Sequence, residues 1–353
     1  MGRKRIIIKI NKNDILQKNH KAIFWLARET QIAFPHLAKL LILREKQGNL
    51  DSEYTIKYLR KSDGGKRQIS VPSTILNFTQ KRIHQRILRQ IPVSPHASGF
   101  SGGGIIKAIT PHLESKTMLR VDCQDAFPTI SREYLSSILA DRRVLQYGGV
   151  DCEAGQYKVV EFGDLSKSAA RIILDLTFFD GHLPQGAPTS PRLFDIACRW
   201  MDERLSKLAE NVNGVYTRYA DNIFFSLKKR ETFDRPLARA ILKIIRGRRS
   251  HSPGFYWHKL RITKLGQNAQ RMLGLNMMEN KIHNTRDFKR HLRKAVHHVN
   301  WLIDHDMHCG EPWSKLHGLM SFAVKETLPA KLLAQYQETH DRIANKIKEE
   351  FCL

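Results

Sequence analysis

Long apolar runs are missing from this 353-residue chain: nothing in it approaches ~20 consecutive apolar residues, so no membrane span is expected. Cysteine is scarce and scattered. The five cysteines (Cys123, Cys152, Cys198, Cys309, Cys352) are odd in number and form no Cys-x-x-Cys pair, which argues against structural zinc and fits a reducing cytoplasm. Met1 to Ile10 carries basic residues and a short Ile6-Ile7-Ile8 run, without the apolar length or small-residue cleavage site of a signal peptide, so a cytoplasmic location is expected. Internal repeats and low-complexity linkers are absent too. Acidic residues are few beside basic ones, 34 Asp and Glu against 59 Lys and Arg, giving a formal net charge of +25. Self-repulsion of that size destabilises a compact chain unless a polyanion neutralises it. Nucleic acid is the default partner, because each neutralised phosphate releases counterions. A ribosomal-type basic protein would fit the charge equally well, so charge names a partner class and no chemistry.

What is present is a mixture of helical and strand patterns. Apolar residues recur at three- and four-residue spacing through Asn13 to Lys46, with Pro35 splitting the stretch in two. Tyr54 to Val71 reads as two strands around a turn at Ser62-Asp63-Gly64-Gly65, followed by a helix from Ser73 to Ile91. A glycine-rich loop, Gly99 to Gly104, precedes a short helix, and Lys116 to Cys123 is a strand ending in an acidic turn. Helices are expected over 131–141, 166–178, 190–209 and 236–246, with an irregular segment from Gly148 to Leu165. Two β-like runs and a helical C-terminal region complete an α+β arrangement.

Two acidic sites carry the chemistry. Tyr219-Ala220-Asp221-Asn222 lies between the strand-like runs Gly214 to Arg218 and Ile223 to Leu227, which places the Asp-Asn pair in a tight hairpin turn and leaves its carboxylate exposed. Asp122 ends the strand Lys116 to Cys123. Phosphoryl transfer needs divalent ions to activate the attacking hydroxyl and neutralise the leaving group. Magnesium takes few protein carboxylates and keeps water and phosphate oxygens as its other ligands, so Asp122 and Asp221 suffice. Between them, Leu183-Pro184-Gln185-Gly186-Ala187-Pro188-Thr189-Ser190-Pro191 opens a helix; Gly186 permits close backbone approach and Gln185 can hydrogen-bond substrate or template. Further on, Arg286, Lys289, Arg290, Arg293 and Lys294 recur at helical spacing and make one basic stripe, suited to a duplex backbone. His305-Asp306-Met307-His308-Cys309 has metal-like residue types in no standard zinc spacing and is read as a polar loop.

These motifs resemble those of reverse transcriptases, specifically the bacterial retron and group II intron-like lineage, from about Tyr54 to at least Gly318. The likeness rests on Lys61-Ser62-Asp63-Gly64-Gly65-Lys66-Arg67-Gln68-Ile69-Ser70-Val71-Pro72, on Asp122 through Ile130, on Leu183 to Pro191, and on Tyr219 to Asn222. His258 to Thr263 and Leu273-Gly274-Leu275 are similar to two downstream elements of the family. Of the retron patterns near Lys107 to His112 and Arg271 to Gly274, His112 and Gly274 match, and nothing after the thumb-like helices resembles a nuclease or maturase extension.

The resemblance implies a right-hand polymerase fold: N-terminal helices and fingers over 1–115, a palm over 116–275 carrying the active site, and a helical thumb over 276–353. It implies an RNA-directed DNA polymerase that extends a primer on an RNA template with two Mg²⁺ ions (Mn²⁺ as a substitute) and deoxynucleoside triphosphates. A cognate structured non-coding RNA, a DNA product, an effector protein and a role in antiphage defence belong to the same expectation. Asp122, Asp221 and Asn222 are the expected metal ligands, Asn222 standing where the family usually has a second Asp. Lys259 is placed near the leaving pyrophosphate as proton donor or, equally, phosphate contact. Lys61, Arg67, Asp125, Ala126, Phe127, Gln185 and Gly186 are expected around the nucleotide, with Phe127 blocking a ribose 2′ hydroxyl. Leu273 and Gly274 are expected in a strand gripping the primer, and the stripe from Arg286 to Lys294 along the duplex. A rival reading is a polymerase-derived RNA-binding protein whose activity is lost or untemplated.

Overall fold

Pro35 sits in the first turn of a helix, where its missing N–H costs nothing, and so divides the N-terminal helical stretch into α1 (Lys12–Thr30) and α2 (Phe34–Gln47). The computed structural model describes residues 12–60, 64–100, 103–140, 143–147, 157–161, 167–229, 232–247, 253–265 and 269–351. β1 (Tyr54–Arg60) and β2 (Lys66–Pro72) pair antiparallel, from Tyr54↔Pro72 to Arg60↔Lys66. α3 (Thr74–Arg86) follows, its N-terminus capped by the Ser73 hydroxyl, which accepts from the Leu76 amide at 3.3 Å. Then come α4 (Gly104–Ile109), β3 (Thr117–Cys123), α5 (Ala126–Thr129) and α6 (Arg132–Ala140). β4 (Arg143–Tyr147) and β5 (Tyr157–Glu161) form a second hairpin. β5 lies inside the stretch from Gly148 to Leu165 expected to be irregular. Its run Tyr157-Lys158-Val159-Val160-Glu161 is too short for a periodicity of its own, and pairing with β4 makes it a strand.

α7 (Lys167–Asp175) and the long α8 (Ser190–Asn211) lead into β6 (Gly214–Tyr219) and β7 (Asn222–Leu227); α9 (Arg235–Arg246) and β8 (Trp257–Lys264) complete this part. The central sheet runs β6-β7-β3-β8, antiparallel throughout. Because side chains alternate across a strand, it has two faces. Leu119, Val121, Ile223, Phe225 and Leu227 point into the main core with the apolar sides of α1, α2, α3 and α6 to α9. Met118 and Phe224 point the other way, against Ile109 and the methionines of a small sheet. That sheet, β9 (Gln270–Met272), β10 (Leu275–Met278) and β11 (Lys281–Asn284), brings the described strands after α9 to four, where two β-like runs were expected. β10 spans the position expected to divide palm from thumb.

α10 (Arg286–Asp304), α11 (Gly310–Phe322) and α12 (Ala330–Phe351) close a separate core around Leu292, Val296, Val299, Leu316, Met320, Leu332 and Ile343. Leu292, Val296 and Val299 are spaced to form the inward stripe of α10, leaving its other face to solvent. Asn284 ties this bundle to β11: its amide donates to the Val324 carbonyl at 2.7 Å and accepts from the Val324 N–H at 3.1 Å. The fold is α+β, as the alternation of patterns implied. Among the described residues, no helix is long and apolar enough to cross a membrane.

Candidate active site

Register places the acidic residues. Asp122 on β3 has Asn222 of β7 as its Cα partner on one side and Lys259 of β8 on the other. Directly opposed residues share a face, so Asn222, Asp122 and Lys259 form one row on the face opposite the main core. The hairpin loop consists of Ala220 and Asp221; Asn222, expected in the turn, instead opens β7 opposite Tyr219. Asp221 is half-buried rather than exposed. Its carbonyl accepts from the Cys123 amide at 3.1 Å, which ties the turn to the end of β3, where the β3–β8 ladder bulges between Asp122 and Cys123. Burial, followed by the like charge of Asp122, raises the Asp221 carboxyl above its ordinary pKa. Its own backbone amide, a hydrogen bond from Asn222 Nδ2 at 3.1 Å and the charge of Arg67 pull it partly back. Arg67 comes from β2, so the N-terminal hairpin and the acidic turn act on one carboxylate.

The turn stands on groups that sequence reasoning passed over. Arg218, immediately before Tyr219, is 1% exposed. Its guanidinium grips Asp202 of α8 with two bonds of 2.8 Å, reaches Asp195 at 3.0 Å, and donates to the Ala220 carbonyl at 3.0 Å. Tyr216 adds a 2.6 Å bond to Asp202. Asp195 and Asp202 are seven residues apart, on one face of α8 among Leu193, Phe194, Met201 and Leu205. Asp195, Arg199 and Asp202, charged residues at helical spacing among the apolar positions of α8, were the available signal. Ala220 takes a positive φ of 54°, a strained conformation for a residue with a Cβ. Gly99 lies against it: a Cβ at 99 would stand 2.5 Å from the Ala220 nitrogen. The segment carrying Gly99 runs beside β6, with the Arg218 amide donating to the His96 carbonyl and the Ser98 amide to the Arg218 carbonyl, both at 2.9 Å.

Of the residues expected around a nucleotide, Asp125 has left-handed backbone (φ 44°) and leads into α5, Ala126 is buried, and Phe127 is half-buried. The Phe127 ring stacks on Phe194 at 5.0 Å and meets Phe100 edge-on at 5.9 Å, which makes a fixed aromatic wall. Gln185 and Gly186 are pinned to β2, since the Ser70 amide donates to the Gln185 carbonyl at 2.7 Å. Gly186 has φ +118°, and a Cβ there would come within 2.7 Å of Ile69. The side chains of Lys259 and Arg67 are exposed. Lys61 lies outside the described residues.

Leu273 and Gly274, expected in a strand, form the turn between β9 and β10, both with positive φ (49° and 86°). A glycine there answers the left-handed backbone a tight hairpin demands. The cations of α10 lie on one helix: Arg286, Arg290, Arg293 and Lys294 are exposed and Lys289 half-buried. The motif from His305 to Cys309 is the loop before α11.

His112 shows what holds α4 to the sheet. It is fully buried, with Nδ1 2.6 Å from Ser226 Oγ and Nε2 2.8 Å from Thr217 Oγ1. Thr217 spends its proton on the Ala108 carbonyl at 2.9 Å, so Nε2 carries the hydrogen and Nδ1 accepts from Ser226. Burial pushes the His112 pKa down to about 3. A folded pKa below the unfolded one gives stability that is complete above the unfolded value and lost as pH falls toward the folded one. Between pH 7.5 and 5, His112 should cost the fold about 2 kcal/mol. Denaturant titrations of wild type and His112→Gln at both pH values should show that excess slope in the wild type alone, beyond what His84 and His96, also lowered by burial, contribute to both proteins.

The donor set suits a hard divalent cation. Two carboxylates at adjacent strand ends repel one another across a half-buried site, and such a cation would neutralise both. Among the described residues, no group of three or more His, Cys, Asp or Glu side chains could hold a metal. Residues 59–289 match the family described as Reverse transcriptase (RNA-dependent DNA polymerase). The chain belongs to the reverse transcriptase family. Among its relatives, the Retron Mx162 reverse transcriptase of Myxococcus xanthus is 28% identical over 305 residues, 81% of this chain and 61% of that protein. The Retron Ec86 reverse transcriptase of Escherichia coli is 24% identical over 258 residues, 70% of this chain and 71% of its own. The chain thus spans 61% of the length of the Myxococcus protein. A solved telomerase from Candida Tropicalis, in complex with a fragment of telomeric RNA, aligns with 84% of this chain and 55% of its own at 14% identity and a TM-score of 0.42. Family membership gives the fold its name, the right hand of reverse transcriptases, and divalent metal ions are what this family generally uses.

Proposed function

We propose that this protein is an RNA-directed DNA polymerase of the retron type, extending a primer on an RNA template. The observation that supports the reading is the acidic pair: Asn222 lies opposite Asp122 in the β3–β7 ladder, and the Cys123 amide donates to the Asp221 carbonyl at 3.1 Å, so the two aspartates come from neighbouring backbone. Asp122 and Asp221 would hold two magnesium ions, whose chemistry is to acidify the primer 3′ hydroxyl and neutralise the leaving pyrophosphate. Arg67, with Lys61, binds the triphosphate, and the backbone around Asp125 and Ala126 borders it. Gln185 and Gly186, fixed to β2, set the floor under the pairing nucleotide. Lys259, the β8 partner of Asp122, would protonate the pyrophosphate. The exposed cations of α10 take the duplex backbone, and the turn at Leu273 and Gly274 approaches the primer end. In this reading residues 1–115, 116–275 and 276–353 serve as fingers, palm and thumb, and the template is a structured non-coding RNA whose DNA copy serves antiphage defence in the cytoplasm.

The test is primer extension on an RNA template with deoxynucleotides and Mg²⁺ or Mn²⁺. The expected product is DNA, resistant to alkali and sensitive to DNase; no extension under either metal overturns the reading. Phe127 supplies a second expected outcome. Its ring is braced by Phe100 and Phe194, so it cannot move aside for a 2′ hydroxyl. Phe127→Val should relax discrimination against ribonucleotides by about 10–100-fold, the scale on which a few methylenes change a pocket. The ratio of kcat/KM for the two sugars checks it.

A further inference from the structure

Arg120 is the residue of the site that no motif brings out. It lies on β3 two positions before Asp122, so it shares that face one row along, with Phe224 of β7 and Arg261 of β8 as Cα partners. Its guanidinium packs over the Phe224 ring, 5.7 Å from the centroid, which holds the arginine against the sheet. From there it donates to Asn222 Oδ1 at 3.1 Å. The other end of that amide donates to Asp221 Oδ1 at 3.1 Å. A guanidinium can only donate, so Arg120 fixes which end of the amide is oxygen, and the nitrogen is left to face the carboxylate. An aspartate at 222 would undo this: it would pair with Arg120 and offer Asp221 a like charge in place of a donor. Asn222 and Arg120 therefore make sense together, as a neutral relay between a cation and the acidic turn.

We infer that Arg120 is a positioning residue for Asp221, acting through the Asn222 amide, and that its charge also weakens the hold of the acidic pair on divalent cations. The inference rests on the polymerase reading above and goes beyond it by giving Asn222 an orienting task in place of a ligand's. Two consequences point in opposite directions. Removing Arg120 takes a positive charge from the row next to Asp122 and from the far end of the amide that faces Asp221, which tightens cation binding. It also frees the amide to turn its oxygen toward Asp221, which misplaces the carboxylate and slows turnover.

The experiment measures Mn²⁺ bound by the protein alone, from the paramagnetic resonance signal of free Mn²⁺, and kcat and KM for dTTP with oligo(dT) on poly(rA). Arg120→Met should bind Mn²⁺ about threefold more tightly than wild type, while kcat falls about tenfold with KM for dTTP unchanged. Asn222→Ala should lower kcat to a similar degree, and the double variant should be no slower than the slower single one. Arg120→Lys, which keeps the charge without the planar fork, should bind Mn²⁺ like wild type and still lose kcat. General damage to the fold would lower affinity and rate together and cannot produce this split. An unchanged kcat in Arg120→Met, weaker Mn²⁺ binding in it, or single effects that multiply in the double variant would each overturn the inference. Equal Mn²⁺ binding by wild type and Asp221→Ala removes the polymerase reading and this inference with it. A wild type that binds and extends beside an Arg120→Met that behaves identically removes the inference alone.

Discussion

Asp221→Ala is expected to lower primer extension by about 10³-fold or more, the scale on which a preorganised charge at a reacting centre contributes, and at the same time to make the metal-free protein more stable at neutral pH. The first effect follows from the proposed role. The second follows from the geometry. Asp221 is held half-buried in the β6–β7 turn, near an acid of the same charge, and these two causes together outweigh the help of its own backbone amide, Asn222 and Arg67, so its folded pKa lies above the ordinary value. For a carboxylate shifted up, folding is favoured with the proton on; stability is highest below the unfolded pKa and falls as pH rises through the folded one. At neutral pH the ionised Asp221 is therefore a net cost, and alanine removes it. The stability gain should shrink as the pH is lowered into the carboxylate range, where wild type keeps the proton. Thermal unfolding in chelator-treated buffer at neutral and acid pH reads the effect, and saturating Mn²⁺ should reverse it by stabilising wild type selectively. A variant that loses both activity and stability at neutral pH would mean that Asp221 is a structural residue. Such opposed signs are what a functional site built against its own stability produces.

How far the sequence reaches is clearest at particular residues. The strand Lys116 to Cys123, the Pro35 break and the α8 start at Ser190-Pro191 were readable because each depends on local rules: alternation, a missing N–H, a proline in a first turn. Asp122 and Asp221 stood out only together and with the Gln185 motif between them, since an Asp after a strand is by itself an ordinary turn residue. The exact turn was less readable. Ala220, an ordinary residue, takes the positive φ, and Asn222 enters the strand because Tyr219 pairs with it, a matter of register that no local pattern states. β5 escaped for a related reason, since it is a strand through its partner. The Arg120–Asn222–Asp221 relay spans 102 positions of chain in one of its two bonds. Gly99 looked like part of a flexible loop, whereas its lack of a side chain is what lets that segment touch Ala220. Each of these is a tertiary contact between residues whose types are unremarkable by themselves.

Arg218→Met carries the largest expected loss of stability. Arg218 is 1% exposed and Asp195 and Asp202 are 0% exposed, so the pairs are fully desolvated. Breaking a buried pair from one side typically costs about 3–5 kcal/mol, because the abandoned charge stays buried. Here two acids lose Arg218 together, and Asp202 keeps only a neutral hydroxyl, that of Tyr216, among its bonds from β6. Met is close to Arg in length and apolar, so lost packing contributes little and the electrostatic term decides the outcome. Stranded in the core, the two carboxyls would hold protons to higher pH than ordinary aspartates. The defect should accordingly deepen as pH rises from the carboxylate range to neutrality, and denaturant titrations at acid and neutral pH should show it. Adding Asp195→Asn and Asp202→Asn to Arg218→Met should return much of the loss, since the whole charged set is then gone. Activity should not return with it. The 3.0 Å bond from Arg218 to the Ala220 carbonyl is the link between this buried set and the strained turn that presents Asp221. A triple variant that folds but extends primers poorly would separate the two tasks of Arg218, holding α8 against the sheet and holding the turn in shape. A triple variant as active as wild type would show that the turn keeps its shape without it.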